Sequence, residues 1–122
     1  MAHFVFVVLA NPVDGQEDEF NRWYDDVHLA DVLRVDGCVS AQRFRYGDDT
    51  PVQSPWRYLT IYEWEADNVA DARAALDRAR EAGRLPVADV LDREQLRAWF
   101  FEAITERRTP PVSAAERGSA VS

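Results

Sequence analysis

Residues 56–65, WRYLTIYEWE, restrict the possible fold more than any other stretch of this chain. Their alternation predicts a β-strand, because successive side chains of a strand point to opposite faces of a sheet. One face would carry Thr60 and an aromatic row of Trp56, Tyr58, Tyr62 and Trp64, and the other would carry Leu59 and Ile61. A sheet built around this strand therefore needs cover on both sides.

Three further strands are predicted, over residues 3–10, 38–46 and 98–104. The first helix follows the turn NPVDGQ, in which Asp14 and Glu17 are spaced like a capping pair. A second helix is expected to begin after Asn68 as its N-cap and to stop at Gly83. Its buried stripe would consist of Val69, Ala72, Leu76 and Ala79.

The resulting order, β-α-β-β-α-β, predicts an α+β fold with a four-stranded antiparallel sheet and two helices on one face. The second face would then expose more apolar surface than a monomer normally tolerates. A second copy of the chain is the simplest cover, so a homodimer is expected. The domain is predicted to span residues 1–106, and residues 107–122, rich in Pro, Ser, Ala and charge, are predicted to be a disordered tail.

Composition narrows the possible partners and the compartment. The net charge of -8 argues against nucleic acid or an anionic membrane, which need clustered Lys and Arg, and leaves a small hydrophobic or aromatic molecule compatible. Cys38 is the only cysteine, so no internal disulfide is possible. The apolar start MAHFVFVVLANP is too short to span a bilayer and lacks a basic flank. We therefore expect a cytoplasmic protein.

The first helix carries an unusual set of side chains in the stretch EFNRWYDDVHLADVL. At about 100° per residue, Phe20, Trp23, Tyr24 and Val27 share a buried face. Asn21, Tyr24 and His28 form a row along one edge of that face. Leu29 falls nearly opposite, which predicts a bend or break near His28 and places this histidine at a helix end beside the core.

This helix, the preceding NP and DG turns, VDGCVSAQRFR and AWFFEAI together resemble the dimeric α+β barrel superfamily, and most closely its EthD-like ferredoxin-like proteins. The resemblance implies a homodimer whose two sheets face each other, with a pocket between sheet and helices in each protomer. The superfamily includes isomerases, polyketide cyclases, dehydratases, haem-degrading enzymes and cofactor-independent oxygenases. Ala30 and Asp36 stand where relatives often have Pro.

His28 is the natural proton-transfer group, because an ordinary imidazole titrates near neutrality. It could instead cap the helix end by bonding a backbone carbonyl. The helix end and Asp25 or Asp31 would favour the imidazolium, whereas an aromatic pocket would favour the neutral ring. Tyr24 and Asn21 could orient a substrate oxygen, or merely satisfy neighbouring backbone.

Four more residues are candidates for substrate binding: Trp23, Arg43, Tyr58 and Tyr62. Trp23 is more readily explained as core, and the aromatic row of residues 56–65 as packing at the sheet interface, although the hydroxyls of Tyr58 and Tyr62 could reach a pocket. Arg43 could bind a carboxylate or enolate, although a solvated edge arginine is the default interpretation. The sequence has no metal-ligand spacing and no phosphate-binding or cofactor motif, so no cofactor is expected.

The leading hypothesis is a cofactor-independent enzyme that moves a proton on a small cyclic, aromatic or polyketide-like carbonyl compound, in an isomerisation, cyclisation or dehydration. A cofactor-free oxygenase on the same substrates is a variant, because an enolate or phenolate can itself react with oxygen. A non-catalytic protein that binds a hydrophobic metabolite is the alternative of a different class.

Overall fold

A computed structural model describes residues 1–111. The strands are β1 (Ala2–Ala10), β2 (Cys38–Arg45), β3 (Tyr58–Ala66) and β4 (Arg97–Glu102). The helical segments are α1 (Glu17–Trp23), a π-helical turn (Tyr24–His28), α2 (Leu29–Leu33) and α3 (Val69–Glu81). We call residues 17–33 the first helix, because α1, the π turn and α2 are continuous. The order β-α-β-β-α-β is confirmed.

The four strands form one antiparallel sheet in the order β2-β3-β1-β4. β1 lies in the middle and pairs with β3 from Ala2↔Ala66 to Ala10↔Tyr58. Opposite residues of antiparallel neighbours lie on the same face, so this register sets which side chains of each strand face the helices. The turn before β2 uses Gly37 at a φ of 95°, where a Cβ would lie 2.5 Å from Nε1 of Trp64, so only glycine fits.

The aromatic row of β3 lies on the helix-covered face. Tyr58, Tyr62 and Trp64 are all buried there, with Phe4 and Val8 of β1 beside them. The prediction that this row packs at the sheet interface is therefore wrong, because the register turns it toward the helices. Trp56 precedes β3, and its Nε1 donates to the carbonyl of Gln95 at 2.7 Å.

The second helix forms as its capping residues predict. The side chain of Asn68 accepts a hydrogen bond from the Asp71 amide at 2.8 Å, and Gly83 has a φ of 72° just beyond the end of α3. Val69 is exposed, however, so its predicted place in the buried stripe is wrong. It lies in the first turn, before the helix reaches the sheet. The buried residues of α3 are Ala72, Ala75, Leu76 and Ala79.

The start of the first helix differs from the prediction. Gln16 occupies the N-cap position and makes no side-chain cap hydrogen bond, so the expected capping pair of Asp14 and Glu17 does not form. Three acids in the first turn still suit the positive end of the helix dipole. The carboxylate of Glu17 instead accepts a hydrogen bond from the Tyr58 hydroxyl.

One buried amide ties together the end of the sheet nearest the first helix. Nδ2 of Asn11 donates to the carbonyl of Pro55 at 2.8 Å and to Oε1 of Gln95 at 2.6 Å, and its Oδ1 accepts from the amide of Arg57 at 2.8 Å. The loop before β3 and the segment before β4 are thereby joined to the end of β1.

Residues 103–111, which follow β4, contribute no regular structure. They are exposed and have no helix or strand. Most of the predicted tail, residues 112–122, lies outside the described residues, and the boundary near residue 106 stays a prediction.

Candidate functional site

The π turn explains why the first helix neither breaks nor follows a simple helical wheel. The amide of Leu29 donates to the carbonyl of Tyr24, five residues earlier, which is the π-helical hydrogen bond. The extra residue per turn shifts every later side chain. Val27 is 43% exposed instead of buried, and Leu29 packs against the core instead of facing solvent. Of the bend or break predicted near His28, the break is wrong, because the helix stays continuous and accommodates Leu29 by changing its register.

The register shift brings His28 onto Trp23. The two rings are stacked with centroids 4.7 Å apart and an interplanar angle of 25°. The rings of Tyr24 and His28 make a T-shaped contact, with their centroids 5.1 Å apart. His28 is thus enclosed by aromatic surface and followed by α2, so it does not cap a helix end.

The imidazole of His28 is neutral at physiological pH. Burial lowers its pKa from 6.5 to about 4, and the nearby carboxylate of Asp31 opposes this only in part. Its Nδ1 is buried and has no hydrogen-bond partner among the described residues. Of the two environments that the sequence left open, the aromatic one outweighs the acidic one. A neutral ring with a free nitrogen can accept a proton or a hydrogen bond.

Two buried tyrosines, Tyr24 of the first helix and Tyr62 of β3, are also uncharged. Tyr24 is 2% exposed and Tyr62 is fully buried, and burial raises the pKa of both phenols. The hydroxyl of Tyr62 has no hydrogen-bond partner within the described chain. The neighbouring Tyr24 hydroxyl raises the pKa of Tyr62 further, so the two phenols lie close together in the core.

Arg43 of β2 lies under the first helix with a side chain that is only 12% exposed. Its guanidinium donates to Oδ1 of Asn21 at 2.8 Å and to Oδ1 of Asp25 at 2.7 Å. The carbon Cζ lies 4.5 Å from the ring centroid of Tyr24, and the rings of Phe20 and Tyr58 are also within cation–π reach. The default interpretation of Arg43 as a solvated edge residue is wrong, because the first helix covers this position of β2.

Asn21 and Tyr58 belong to the same network. Nδ2 of Asn21 donates to the Tyr58 hydroxyl at 3.1 Å, and this hydroxyl donates in turn to Glu17. Both polar atoms of the Asn21 amide are therefore used within the protein, one by Tyr58 and one by Arg43. Asn21 would have to give up one of these bonds in order to hold a substrate oxygen.

The seven candidate residues thus form two groups that meet at Tyr24. Trp23 and His28 lie against one part of this tyrosine, and Arg43 lies over its ring with Asn21 and Tyr58 beyond. Tyr62 lies on the same face of β3 as Tyr58, opposite Ala41 of β2. Glu17 and Asp25 also belong to the network but were not predicted as site residues. The i, i+4 spacing of Asn21 and Asp25 indicates from the sequence that their side chains lie on one side of the helix. Only the fold shows that Arg43 lies opposite these two side chains.

A larger cleft lies on the other face of the sheet and is separate from this network. It encloses about 1210 Å³ and is lined in part by Val39, Phe44, Ile61, Phe101 and Ile104. None of the seven candidate residues lines it. The cleft lies on the face of the sheet that no helix covers.

Two other kinds of site are not found in residues 1–111. No cluster of three or more His, Cys, Asp or Glu side chains there could hold a metal ion. In the same range, no helix has both the length and the apolar character that crossing a membrane requires.

The sequence matches no protein-family model and no curated protein. Solved structures do match the fold. A protein from Shewanella loihica PV-4 with the provisional name of monooxygenase has a TM-score of 0.59 at 16% identity, over 86% of this chain and 98% of that one. An ethyl tert-butyl ether D (EthD) family protein from Bacillus halodurans C-125 has a TM-score of 0.52 at 15% identity, over 85% and 100%.

A third similar structure is a dimeric ferredoxin-like protein of unknown function from Jannaschia sp. CCS1, with a TM-score of 0.52 at 15% identity, over 83% of this chain and 99% of that one. These likenesses cover almost the whole of each neighbour. The chain therefore has the ferredoxin-like α+β fold of the dimeric α+β barrel proteins that its sequence resembles.

Proposed function

We propose that this protein is an enzyme that removes a proton from a small cyclic, aromatic or polyketide-like carbonyl compound, with His28 as the general base and no cofactor. One observation carries the proposal. The imidazole of His28 is neutral, stacked on Trp23, and has a buried Nδ1 without a partner. An unpaired buried polar atom is costly, so its retention calls for a use.

The low pKa of His28 restricts the substrate. A base with a pKa of about 4 is fully available at neutral pH, but its driving force for proton abstraction is small. The proton must therefore come from an acidic position, such as a methylene between a carbonyl and an aromatic ring, or a phenol. Trp23 and Tyr24 supply the flat apolar walls that such a substrate needs.

The remaining candidates take more limited roles in this proposal. Tyr24, as a neutral phenol, would orient the substrate oxygen, and the unpartnered hydroxyl of Tyr62 could donate to it. Hydrogen bonds join Asn21 to both Arg43 and Tyr58. These three residues would act on the substrate only through the ring of Tyr24. The positive charge of Arg43 beside that ring favours an enolate or phenolate over the neutral substrate.

Proton abstraction can be tested before the natural substrate is known. β-Tetralone, an aromatic cyclic ketone with an acidic methylene, is incubated with the protein in D₂O, and loss of its methylene proton signal is followed by NMR. We expect His28→Gln to lower the enzyme-dependent exchange rate by about 10²- to 10⁴-fold. His3→Gln is the matched control, since His3 is exposed at the start of β1. Full exchange in His28→Gln would remove His28 as the base.

Oxygenation is a variant of the same chemistry and would suit the provisional name of the Shewanella protein. The carbanion formed by His28 would then react with molecular oxygen, which the reaction consumes. An oxygen electrode distinguishes the two outcomes, because isomerisation, cyclisation and dehydration consume none. If the native protein consumes oxygen, His28→Gln should lose this oxygen uptake.

Ligand binding without catalysis is the second candidate, and the hydrogen bonding of Asn21 favours it. Its amide and the Tyr58 hydroxyl already satisfy each other, which leaves few free polar groups beside His28. Such a protein would bind β-tetralone or a related ketone without exchanging its protons. Calorimetric binding combined with no exchange above the buffer rate would support this candidate over the enzyme.

We also propose a homodimer formed through the open face of the sheet. Trp99 and Phe101 of the edge strand β4 are 46% and 54% exposed there, and Val39 and Phe44 of β2, at the opposite edge of the sheet, are exposed as well. A second sheet is the surface that fits such a face. Sedimentation equilibrium should give about twice the mass of the chain, and Phe101→Glu should give a monomer. Val52→Glu, in an exposed loop, is the control that should remain dimeric.

A further inference from the structure

The contact between Trp23 and His28 depends on the π turn. The two residues are five positions apart, so in an α-helix at about 100° per residue their side chains would point about 140° away from each other. The π-helical bond from Leu29 to Tyr24 closes that gap and allows the rings to stack. A π turn is less stable than the α-helix around it, so contacts outside the helix must hold it.

One side chain outside the helix contacts three residues around this turn. Arg43 contacts three residues of the first helix: Asn21 through a hydrogen bond, Asp25 through an ion pair and Tyr24 through its ring. These positions bracket the junction at which α1 becomes the π turn. The guanidinium can reach all three because it is planar and has several donors in fixed directions, whereas an ammonium is a single point charge.

We infer that Arg43 is a positioning residue, which acts on His28 by clamping Asn21, Tyr24 and Asp25 so that the first helix keeps the π register that stacks His28 on Trp23. This inference rests on the proposed function for its chemical meaning. Its structural content, the dependence of the His28 position on Arg43, can be measured without any substrate.

The burial of Arg43 is itself difficult to explain by stability. Its Nε is buried without a hydrogen-bond partner in the described chain, and a guanidinium loses much of its hydration when covered. Well-packed apolar residues often replace buried ion pairs without loss of stability. A role in fixing the helix register accounts for a charge at this position better than a role in stability does.

The test compares two methionine variants of β2. Arg43→Met removes the clamp and keeps an unbranched apolar stem, and Arg45→Met makes the same change two residues away at an exposed position on the same strand face. The readout is the NMR shift of the His28 imidazole protons in the ligand-free protein. In the native protein we expect the ring current of Trp23 to shift these protons upfield, because the two rings are stacked. Resonances are assigned by their absence in His28→Gln.

We expect the upfield shift of His28 to be lost in Arg43→Met and kept in Arg45→Met. Where β-tetralone exchange is observed, Arg43→Met should lower it by about 10²-fold, the effect of displacing a catalytic group by roughly 1 Å. Asp25→Ala provides a second variant, because the side chain of Asp25 is 58% exposed and we expect its removal to leave folding intact. It should weaken the upfield shift in part, and it decides the question if Arg43→Met does not fold.

An unchanged His28 shift in folded Arg43→Met, or in Asp25→Ala where only that variant folds, would overturn the inference. Arg43→Lys separates geometry from charge, and failure of lysine to restore the shift would support the role of the planar fork. The two proposals fail separately. If His28→Gln leaves exchange unchanged while Arg43→Met still moves the His28 resonances, the catalytic proposal falls and the positioning role stands.

Discussion

The two faces of the same sheet solve the problem of burial in different ways. On the helix-covered face, Tyr62 and Trp64 are buried and polar groups such as Arg43 are held by side chains of the first helix. On the open face, Trp99 and Phe101 of the edge strand β4 are exposed, and the central strands carry Val5 and Glu63. The chain thus covers one face of the sheet with its own helices, which also hold the charged side chain of Arg43. On the other face it leaves apolar side chains exposed for contact with another molecule.

The largest expected difference between the faces concerns their tryptophans. Trp64→Ala should lower the free energy of unfolding by about 3–5 kcal/mol at any protein concentration, because Trp64 is 1% exposed and its removal leaves a cavity. Trp99→Ala should act mainly on the dimer, so its effect should shrink as the protein is diluted. Urea unfolding at two protein concentrations separates them. Equal losses at both concentrations would contradict the distinction.

The acid sensitivity of the helix-covered face should come next in size. The unfolded imidazole of His28 takes up a proton near its ordinary pKa of 6.5, whereas the folded ring does so only at about 4. Between these values the unfolded state binds more protons, so stability falls as the pH falls. The loss from pH 6.5 to pH 4 should be about 2–3 kcal/mol.

The variant His28→Gln should lack this part of the acid loss, and His3→Gln should retain it. Unfolding by urea at several pH values measures the slope directly. The same slope in all three proteins would mean that His28 titrates normally and that aromatic burial does not control its charge.

A smaller effect distinguishes two tyrosines of the helix-covered face. Tyr58→Phe removes a hydroxyl that donates to Glu17 and accepts from Asn21, and should cost about 1–2 kcal/mol. Tyr62→Phe removes a hydroxyl without a protein partner and should be neutral or stabilise by up to about 1 kcal/mol. A cost for Tyr62→Phe as large as that for Tyr58→Phe would show that its hydroxyl is already paired.

The smallest effect on stability is expected from removing the residues after Glu106. Nη2 of Arg107 lies 3.6 Å from Oε1 of Glu63, and both side chains are well exposed. Exposed ion pairs contribute little. Truncation after Glu106 should therefore change the melting temperature by less than about 5 °C, the shift that corresponds to about 1 kcal/mol. A larger fall would mean that the removed residues pack against the domain.

Sequence patterns were sufficient for the fold because each strand and helix has a local cause. The alternation in residues 58–64 and the capping by Asn68 act within a few residues, and the structure keeps both. The π turn has no such local signature, and a helical wheel of fixed period misplaced Val27 and Leu29 for that reason. The misfit of Leu29 revealed an irregularity but not its kind.

The candidate site was predictable in membership more than in geometry. Tyr24 and His28 are four positions apart, so any helix brings them close together, whereas Trp23 meets His28 only through the π turn. The burial of Arg43 depends on which residues of the first helix cover β2, which is a property of tertiary packing. Whether an arginine is a surface charge or a buried clamp cannot be read from its own strand.

The buried amide of Asn11 also affects the order of events in folding. Its partners lie 44 and 84 residues along the chain, so its bonds can close only after β1, the loop before β3 and the segment before β4 have met. Bonds that close so many residues carry a high entropic cost and tend to form after the transition state. Asn11→Ala should therefore speed unfolding and leave the refolding rate nearly unchanged, which makes Asn11 a determinant of how long the folded chain survives.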